Sequence, residues 1–302
     1  MNLSVKHLRA FQALAKQRNF TRAASACNLS QPAFSALIQG LEEDTGVRLF
    51  DRNTRRVDLT HEGRIFEQSA ARLLADAKAA YSELKDHIAL RKGRVAIAAL
   101  PSLAAGSLPP LLAAFHQQHP GIRLELFDLL SDTCIAQVQA GTVDFALAPA
   151  GAGGRPGLQT ELLCSDRFHV VCPAGHPLAR QRAVKAAQLA GHPFIHLARS
   201  TSIRQHLERA LHPLALNSML EVEQLATVAA LVAQGLGISV IPSLALAQFR
   251  QPGVLIKPLQ LAGLRRDIHI IRMTGRSLPV AAQALLDMLR AGFAPHGRRA
   301  GS

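Results

Sequence analysis

Up to residue 92 the apolar positions recur at helical spacing. Residues 4–18 place Leu8, Phe11, Leu14 and Ala15 on one stripe with Lys6, Arg9, Lys16 and Arg18 outside it, which predicts an amphipathic helix. In the stretch FTRAASACNLSQPAFSALIQGLE (residues 20–42) Thr21 is placed as an N-cap, residues 22–27 make an Ala-rich turn or two, and Asn28-Leu29 ends them. Ser30 starts the next helix with Pro32 in its first turn, where a missing N–H costs nothing. Phe34, Leu37, Ile38 and Leu41 give that helix one apolar face, and Gln31, Ser35 and Gln39 fall four apart on another. Small and amide side chains of this kind suit base edges in a DNA major groove. They equally suit an ordinary solvated surface.

Gly46 ends this third helix. Residues 47–50 and 57–59 read as two short strands bracketing DRNTRR, a wing whose Arg52, Arg55 and Arg56 suit phosphates or a narrow minor groove. Thr60 then caps a long helix to about Leu90. Phe66, Ala70, Leu73, Ala77, Leu84 and His87 keep a three/four spacing, with Leu74, Tyr81 and Ile88 widening the stripe. A helix of this length beside a small domain needs a partner for that stripe, and the same helix of another subunit is the simplest one. Phe66, Leu73, Leu74, Ala77, Tyr81 and Leu84 are therefore the dimerisation candidates, with packing against the chain itself as the alternative.

Lys92-Gly93 marks the domain boundary. Beyond it strands are expected at residues 95–99, 123–127, 143–148, 168–172, 194–197, 219–222, 238–241 and 268–273. Helices are expected at 108–118, 133–140, 202–211, 224–234, 243–249 and 279–291. This alternation predicts an α/β unit with largely parallel sheets, split into two halves around a cleft and binding ligand at strand carboxyl ends. The Pro/Gly-rich residues 149–157 and the region of Gly263 are the expected loops or crossings between halves. The organisation is thus an N-terminal three-helix and wing domain (1–60), a linker helix (61–92) and an α/β domain (93–302).

Charge changes the picture in one respect. The 302 residues carry 34 Lys/Arg against 21 Asp/Glu, a net charge of +13, which favours polyanionic partners. Residues 1–92 hold 15 basic against 10 acidic residues and the rest 19 against 11, so the excess supports nucleic-acid binding without locating it. Cys27, Cys134, Cys164 and Cys172 lack zinc-site spacing and read as buried free thiols. The N-terminus is amphipathic and basic rather than a signal peptide, and the longest apolar runs, such as residues 225–233, are too short to span a bilayer. A cytoplasmic protein with no membrane partner is expected.

The run LSQPAFS, then LE, then GVRLFDR and LTHEG, resembles the LysR-type transcriptional regulators, and LVAQGLGISVIP is similar to the effector domain of that family. The resemblance spans nearly the whole chain. It implies a multidomain α and α/β protein: an N-terminal winged helix-turn-helix, a long linker helix and a C-terminal two-lobed, periplasmic-binding-protein-like α/β effector domain. The implied partners are double-stranded DNA, a small-molecule effector, further copies of the chain as a dimer or homotetramer, and RNA polymerase. No cofactor beyond a small-molecule co-inducer is expected. Thr21, Ser30, Gln31, Pro32, Ser35 and Gln39 take the DNA-contact role with Arg52, Arg55 and Arg56 in the wing. Positions where the family often carries Arg or Lys hold Ala36, Gln39 and Gly40, so the wing is expected to supply more of the grip.

The effector site implied by the family lies between two lobes of the winged helix-turn-helix protein's effector domain, lobe I near 93–164 and 266–295 and lobe II near 165–265. Leu100-Pro101-Ser102, Leu130-Ser131-Asp132-Thr133 and Arg199-Ser200-Thr201-Ser202 match it as strand ends that open helices with hydroxyls. Ser102, Ser131, Thr133, Ser200, Thr201, Ser202, Arg204 and Thr227 are the candidate contacts. Helix N-termini and Arg204 favour an anion, commonly a carboxylate. The hydroxyls would serve equally as N-caps. An enzyme is not expected, because GxSxG, HExxH, P-loop and strand-linked GxGxxG patterns are missing from the chain. A solute-binding or sensor protein with DNA binding secondary is the alternative, and it has no use for the first 92 residues.

Overall fold

The computed structural model describes residues 3–53, 56–151 and 155–294, with 52, 53 and 56 as backbone only. It divides into two units, residues 1–86 and 87–302.

In the first unit α1 (Val5–Gln17), α2 (Phe20–Ala26) and α3 (Gln31–Thr45) precede β1 (Phe50–Asn53), β2 (Arg56–Leu59) and the start of α4 (His61–Ile88). Leu8, Phe11, Leu14, Phe34, Ile38, Leu41, Leu49 and Phe50 form the core, with Phe11 edge-on to Phe66 at 5.0 Å. Asn19, rather than Thr21, caps α2: its side chain accepts the Arg22 N–H at 2.9 Å, and the helix begins one residue before Thr21. The Asn carboxamide outcompetes the hydroxyl because Phe20 is already helical. Asn28 breaks α2 with a φ of 56° and Ser30 caps α3, both as expected.

The wing is shorter and later than expected. β1 pairs with β2 from Phe50↔Leu59 to Asn53↔Arg56, and residues 47–49 stay outside the ladder. The reason is Glu42, whose Oε1 accepts the N–H groups of Leu49 and Phe50 at 2.8 and 3.1 Å and so diverts them from strand pairing. Thr60 does cap α4, accepting from the Gly63 N–H at 2.9 Å while donating to the Arg48 carbonyl at 2.8 Å. Gly63 is required there, since a Cβ would lie 2.2 Å from the Leu49 carbonyl oxygen.

The second unit continues with β3 (Gly93–Ala99), α5 (Pro101–Ala104), α6 (Leu108–Gln118), β4 (Ile122–Asp128), α7 (Ser131–Gln139), β5 (Phe145–Ala148) and β6 (Leu158–Pro173). Then come β7 (Val184–Lys185), β8 (Pro193–Leu197), α8 (Ser202–Leu211), β9 (Asn217–Val222), α9 (Leu225–Ala233), β10 (Ser239–Pro242), β11 (Val254–Gln260), β12 (Arg265–Met273) and α10 (Val280–Phe293). Short 3₁₀ turns cover Pro177–Arg180, Ala186–Gly191 and Ser243–Phe249. Two apolar cores divide this unit. One gathers β3, β5, the later part of β12, α7 and α10; the other gathers residues between Phe168 and Leu264.

The sheet is mixed, which corrects the expectation of largely parallel sheets. Its order is β4-β3-β5-β12-β6-β11-β7, with β10 also on β6. The β3/β4, β3/β5, β7/β11 and β8/β9 pairs are parallel, whereas every pair made by β6 or β12 is antiparallel. These two long strands run from one core into the other side by side and need no crossover helix. They also carry the chain between lobes, so the crossings lie near residues 164–168 and 264–268; of the other expected crossing, 149–157, residues 152–154 lie outside the described residues, and Ala148 and Leu158 on either side of it belong to the same lobe I core. Gly263 sits in the turn between β11 and β12, inside lobe II.

Candidate functional site

In the first unit, the buried face of α3 (Phe34, Ile38, Leu41) holds it on α1 and α2. That leaves Gln31, Pro32, Ala36 and Gln39 exposed, with Ser35 half-buried and Thr21 and Ser30 exposed. Gln39 Nε2 donates to Glu43 Oε1 at 3.2 Å. Of the wing arginines, Arg52 and Arg56 are placed by their backbone on β1 and β2, and Arg55 lies outside the described residues. The stripe of α4 divides in two. Phe66, Ala70 and Leu74 pack into the core of their own domain, because α4 must close that core before it leaves it. Leu73, Tyr81 and Leu84 are exposed and Ala77 half-buried, so Leu73 and the stripe from Ala77 onward are left without full cover.

In the second unit a cavity of about 300 Å³ lies between the lobes. Leu100, Ser102, Asp128 and Leu130 line it from lobe I, Ser200, Thr201, Ser202, Glu223 and Leu225 from lobe II, and Arg266 from β12. Arg266 is 1% exposed. Its Nη2 donates to Asp166 Oδ2 at 2.8 Å and to Ser102 Oγ at 2.9 Å, and its Nη1 donates to Ser202 Oγ at 3.1 Å. One guanidinium thus joins a hydroxyl from each lobe to a carboxylate on the adjacent strand. The Arg266 Nε has no partner among the described residues.

Asp166 faces Arg266 directly across the β6/β12 ladder, and its Oδ1 accepts the Leu244 N–H at 3.1 Å. Burial pushes its carboxyl pKa up, against the opposing pull of Arg266 and of backbone N–H groups. Leu244 in turn presses on lobe I: a Cβ on Gly106 would lie 1.9 Å from the Leu244 carbonyl oxygen and 2.5 Å from that of Ser102. The floor of the cleft is therefore a closed set of contacts, and backbone approach at Gly106 is part of it.

Four expected effector contacts do line the cavity: Ser102, Ser200, Thr201 and Ser202. Thr201 is spent on its own turn, donating to the Ala198 carbonyl at 2.7 Å and accepting the Arg204 N–H at 3.2 Å as the cap of α8. The other four do not line it. Thr133 and Thr227 are exposed, Ser131 turns a buried Oγ away from any described partner, and Arg204 bends along α8 to Glu208 at 2.6 Å. Arg266, Asp166, Asp128 and Glu223 were not anticipated. Arg266 and Asp166 did leave a trace, because each keeps phase with buried positions of its strand (Ile268 and Ile270; Phe168 and Val170).

All four thiols are free as expected, but only Cys134 and Cys172 are buried while Cys27 and Cys164 are half-buried; desolvation raises the pKa of each, to about 12 at Cys134 and about 11 at Cys164. Among the described residues no cluster of His, Cys, Asp or Glu has metal-binding spacing, and no helix is long and apolar enough to cross a membrane.

Residues 5–64 match the model of the bacterial regulatory helix-turn-helix proteins of the lysR family, and residues 89–294 match the LysR substrate binding domain. An uncharacterized HTH-type transcriptional regulator of Shigella flexneri, YfeR, is 31% identical over 294 residues, covering 96% of this chain and 94% of that one. A full-length OxyR variant from Pseudomonas aeruginosa shares the fold with a TM-score of 0.77 at 22% identity, covering 97% of this chain and 100% of that one. The full-length CbnR complexed with its target DNA does so with a TM-score of 0.70 at 22% identity, covering 96% and 100%. With both of its parts matched in the order they occupy here, the chain belongs to the LysR-type transcriptional regulators.

Proposed function

We propose that this regulator reads operator DNA with α3, grips the backbone with its wing, and is controlled by a small ligand in the cleft between lobes I and II. The observation that carries the second half is Arg266, which lines the cleft and holds Ser102 of one lobe and Ser202 of the other. A ligand group that accepts hydrogen bonds, a carboxylate foremost, would engage the unpaired Nε and compete for those hydroxyls, altering how the lobes are tied. Leu73, Ala77, Tyr81 and Leu84 supply an apolar seam for a second copy of α4, giving a dimer or a dimer of dimers. Contact with RNA polymerase follows if the regulator activates.

A base-reading rather than a phosphate-binding role for α3 is favoured by its exposed face, which offers Gln31, Pro32, Ala36 and Gln39 and no cationic side chain. Base-edge contacts then fall to α3 and phosphate contacts to Arg52, Arg55 and Arg56. The test is fluorescence anisotropy with DNA from the promoter beside the regulator's own gene, over a salt series. Replacing Arg55 and Arg56 by alanine should reduce the slope of log affinity against log salt by roughly one to two units. Replacing Gln31 and Gln39 should weaken binding to operator but not to random DNA. An unchanged slope, or equal losses on both DNAs, refutes this division of labour. In parallel, Ser102→Ala with Ser202→Ala should remove the ligand's effect on operator affinity, and an unaltered effect refutes the cleft assignment.

A further inference from the structure

The cleft's own charges restrict its ligand further than a preference for anions. Its one cation among the described residues, Arg266, is already matched by Asp166 at 2.8 Å. Two more carboxylates line the same cavity, Asp128 at the carboxyl end of β4 in lobe I and Glu223 just beyond β9 in lobe II. Neither has a hydrogen bond or an ion pair among the described residues. Both side chains are exposed to the open cleft, and desolvation by the cleft walls raises the Asp128 pKa with no counter-charge to offset it. A ligand carrying only a carboxylate would add negative charge to a wall that already has an excess of it. A ligand carrying only an amine would leave the buried Nε of Arg266 unmet. Both are costly once the ligand displaces water from the cleft.

We infer that the ligand is a zwitterion of the amino-acid type, its carboxylate held by Arg266 with Ser102 and Ser202, its ammonium held by Asp128 and Glu223. The inference rests on the cleft being the effector site. The remaining lining, Leu100, Leu129, Leu130, Leu197, Ile203 and Leu225, is aliphatic and suits an apolar side chain. A volume of about 300 Å³ is at the small end for ligand pockets and fits a single amino acid rather than a peptide. Because each ligand charge meets groups from both lobes, or from one lobe and the strand that joins them, such a ligand ties the lobes together as it binds.

The test uses the full-length regulator. The proteinogenic L-amino acids are screened by thermal shift, together with the desamino carboxylic acid and the decarboxylated amine matching each one, and binders are titrated calorimetrically. An amino acid should bind at least tenfold tighter than its desamino acid and its amine. Asp128→Asn with Glu223→Gln should cost that amino acid at least tenfold while the desamino acid binds as well as before or better. Both side chains face a solvent-connected cleft, and circular dichroism melts establish that the double variant folds. If the desamino acid binds the wild type as tightly as the amino acid, or the double variant keeps its amino-acid affinity, the zwitterion inference fails and the cleft assignment stands. If neither amino acids nor their desamino acids bind, both fail.

Discussion

Replacing Arg266 by methionine removes the cation from a site where its partner cannot reach water. Asp166 is 2% exposed and would keep only backbone N–H donors such as that of Leu244. Stripping one member from a buried pair costs about 3–5 kcal/mol. The protein can limit that loss by protonating Asp166, which from an ordinary carboxyl pKa costs about 4 kcal/mol at pH 7. This escape makes the penalty depend on pH. In the variant the folded-state pKa of Asp166 lies above its unfolded value, so the folded state holds a proton the unfolded state has lost. Stability then falls as pH rises, by about 1.4 kcal/mol per unit between the unfolded and folded pKa. Adding Asp166→Asn keeps an acceptor for Leu244 and removes the charge, and should recover at least half the loss and abolish the pH dependence. Urea unfolding followed by far-UV circular dichroism is the appropriate assay, because the chain has no Trp and its one Tyr, Tyr81, lies on α4 in the first unit. A single variant within about 1 kcal/mol of wild type, or a loss that is flat with pH, refutes the view of Arg266 as the counter-charge of a buried carboxylate.

Gly63→Ala places a Cβ 2.2 Å from the Leu49 carbonyl and should lower the melting temperature of the N-terminal unit by roughly 5 °C or more, with weakened operator binding, as read by calorimetry and anisotropy. Glu42→Ala leaves the Leu49 and Phe50 N–H groups without their acceptor and should cost about 1–3 kcal/mol in the same unit, whereas Glu42→Gln should cost less because the amide oxygen still accepts. His196 is 4% exposed, and burial first, then Arg204 and Arg199 against the pull of Glu208, hold its pKa at about 4. The unfolded state therefore binds the extra proton first, and stability drops as pH falls from about 6.5 towards 4, by about 3 kcal/mol in full. His196→Asn should flatten that part of the stability profile, and an unchanged profile refutes the assignment.

The periodic elements were legible wherever one face alone is buried. α3, α6 and α8 emerged from their stripes almost to the residue, because a helix with one apolar face writes a clear 3.6-residue pattern. The strand β6 did not. Its first eight residues, LQTELLCS, mix exposed and half-buried positions, so they lack either the alternation of a one-sided strand or the apolar run of a central one. β11 was hidden in a similar way by Lys257 and Pro258 within VLIKPLQ. The hydroxyls of the cleft were visible because helix starts have a local signature. Arg266 and Asp166 lie a hundred positions apart and become a site only through strand register, which no local pattern encodes. Arg204 stands beside the cleft in sequence yet off its lining, because a carboxylate one helical turn away, Glu208, holds its Nε.

The pairing of Asp166 with Arg266 bears on the architecture as well as on the cleft. Facing residues of antiparallel strands lie only about 4.5–5.5 Å apart at Cα. Everything from 167 to 265 therefore leaves and returns through adjacent points, and lobe I would stay contiguous if that segment were lifted out. Lobe II has the topology of an insert, with its own apolar core and its own half of the cleft lining. Segments of this kind are natural units of exchange. Transplanting 167–265 from a relative, with Asp166 and Arg266 kept as the fixed seam, offers a route to a regulator that answers a different chemical signal while still addressing the same promoter.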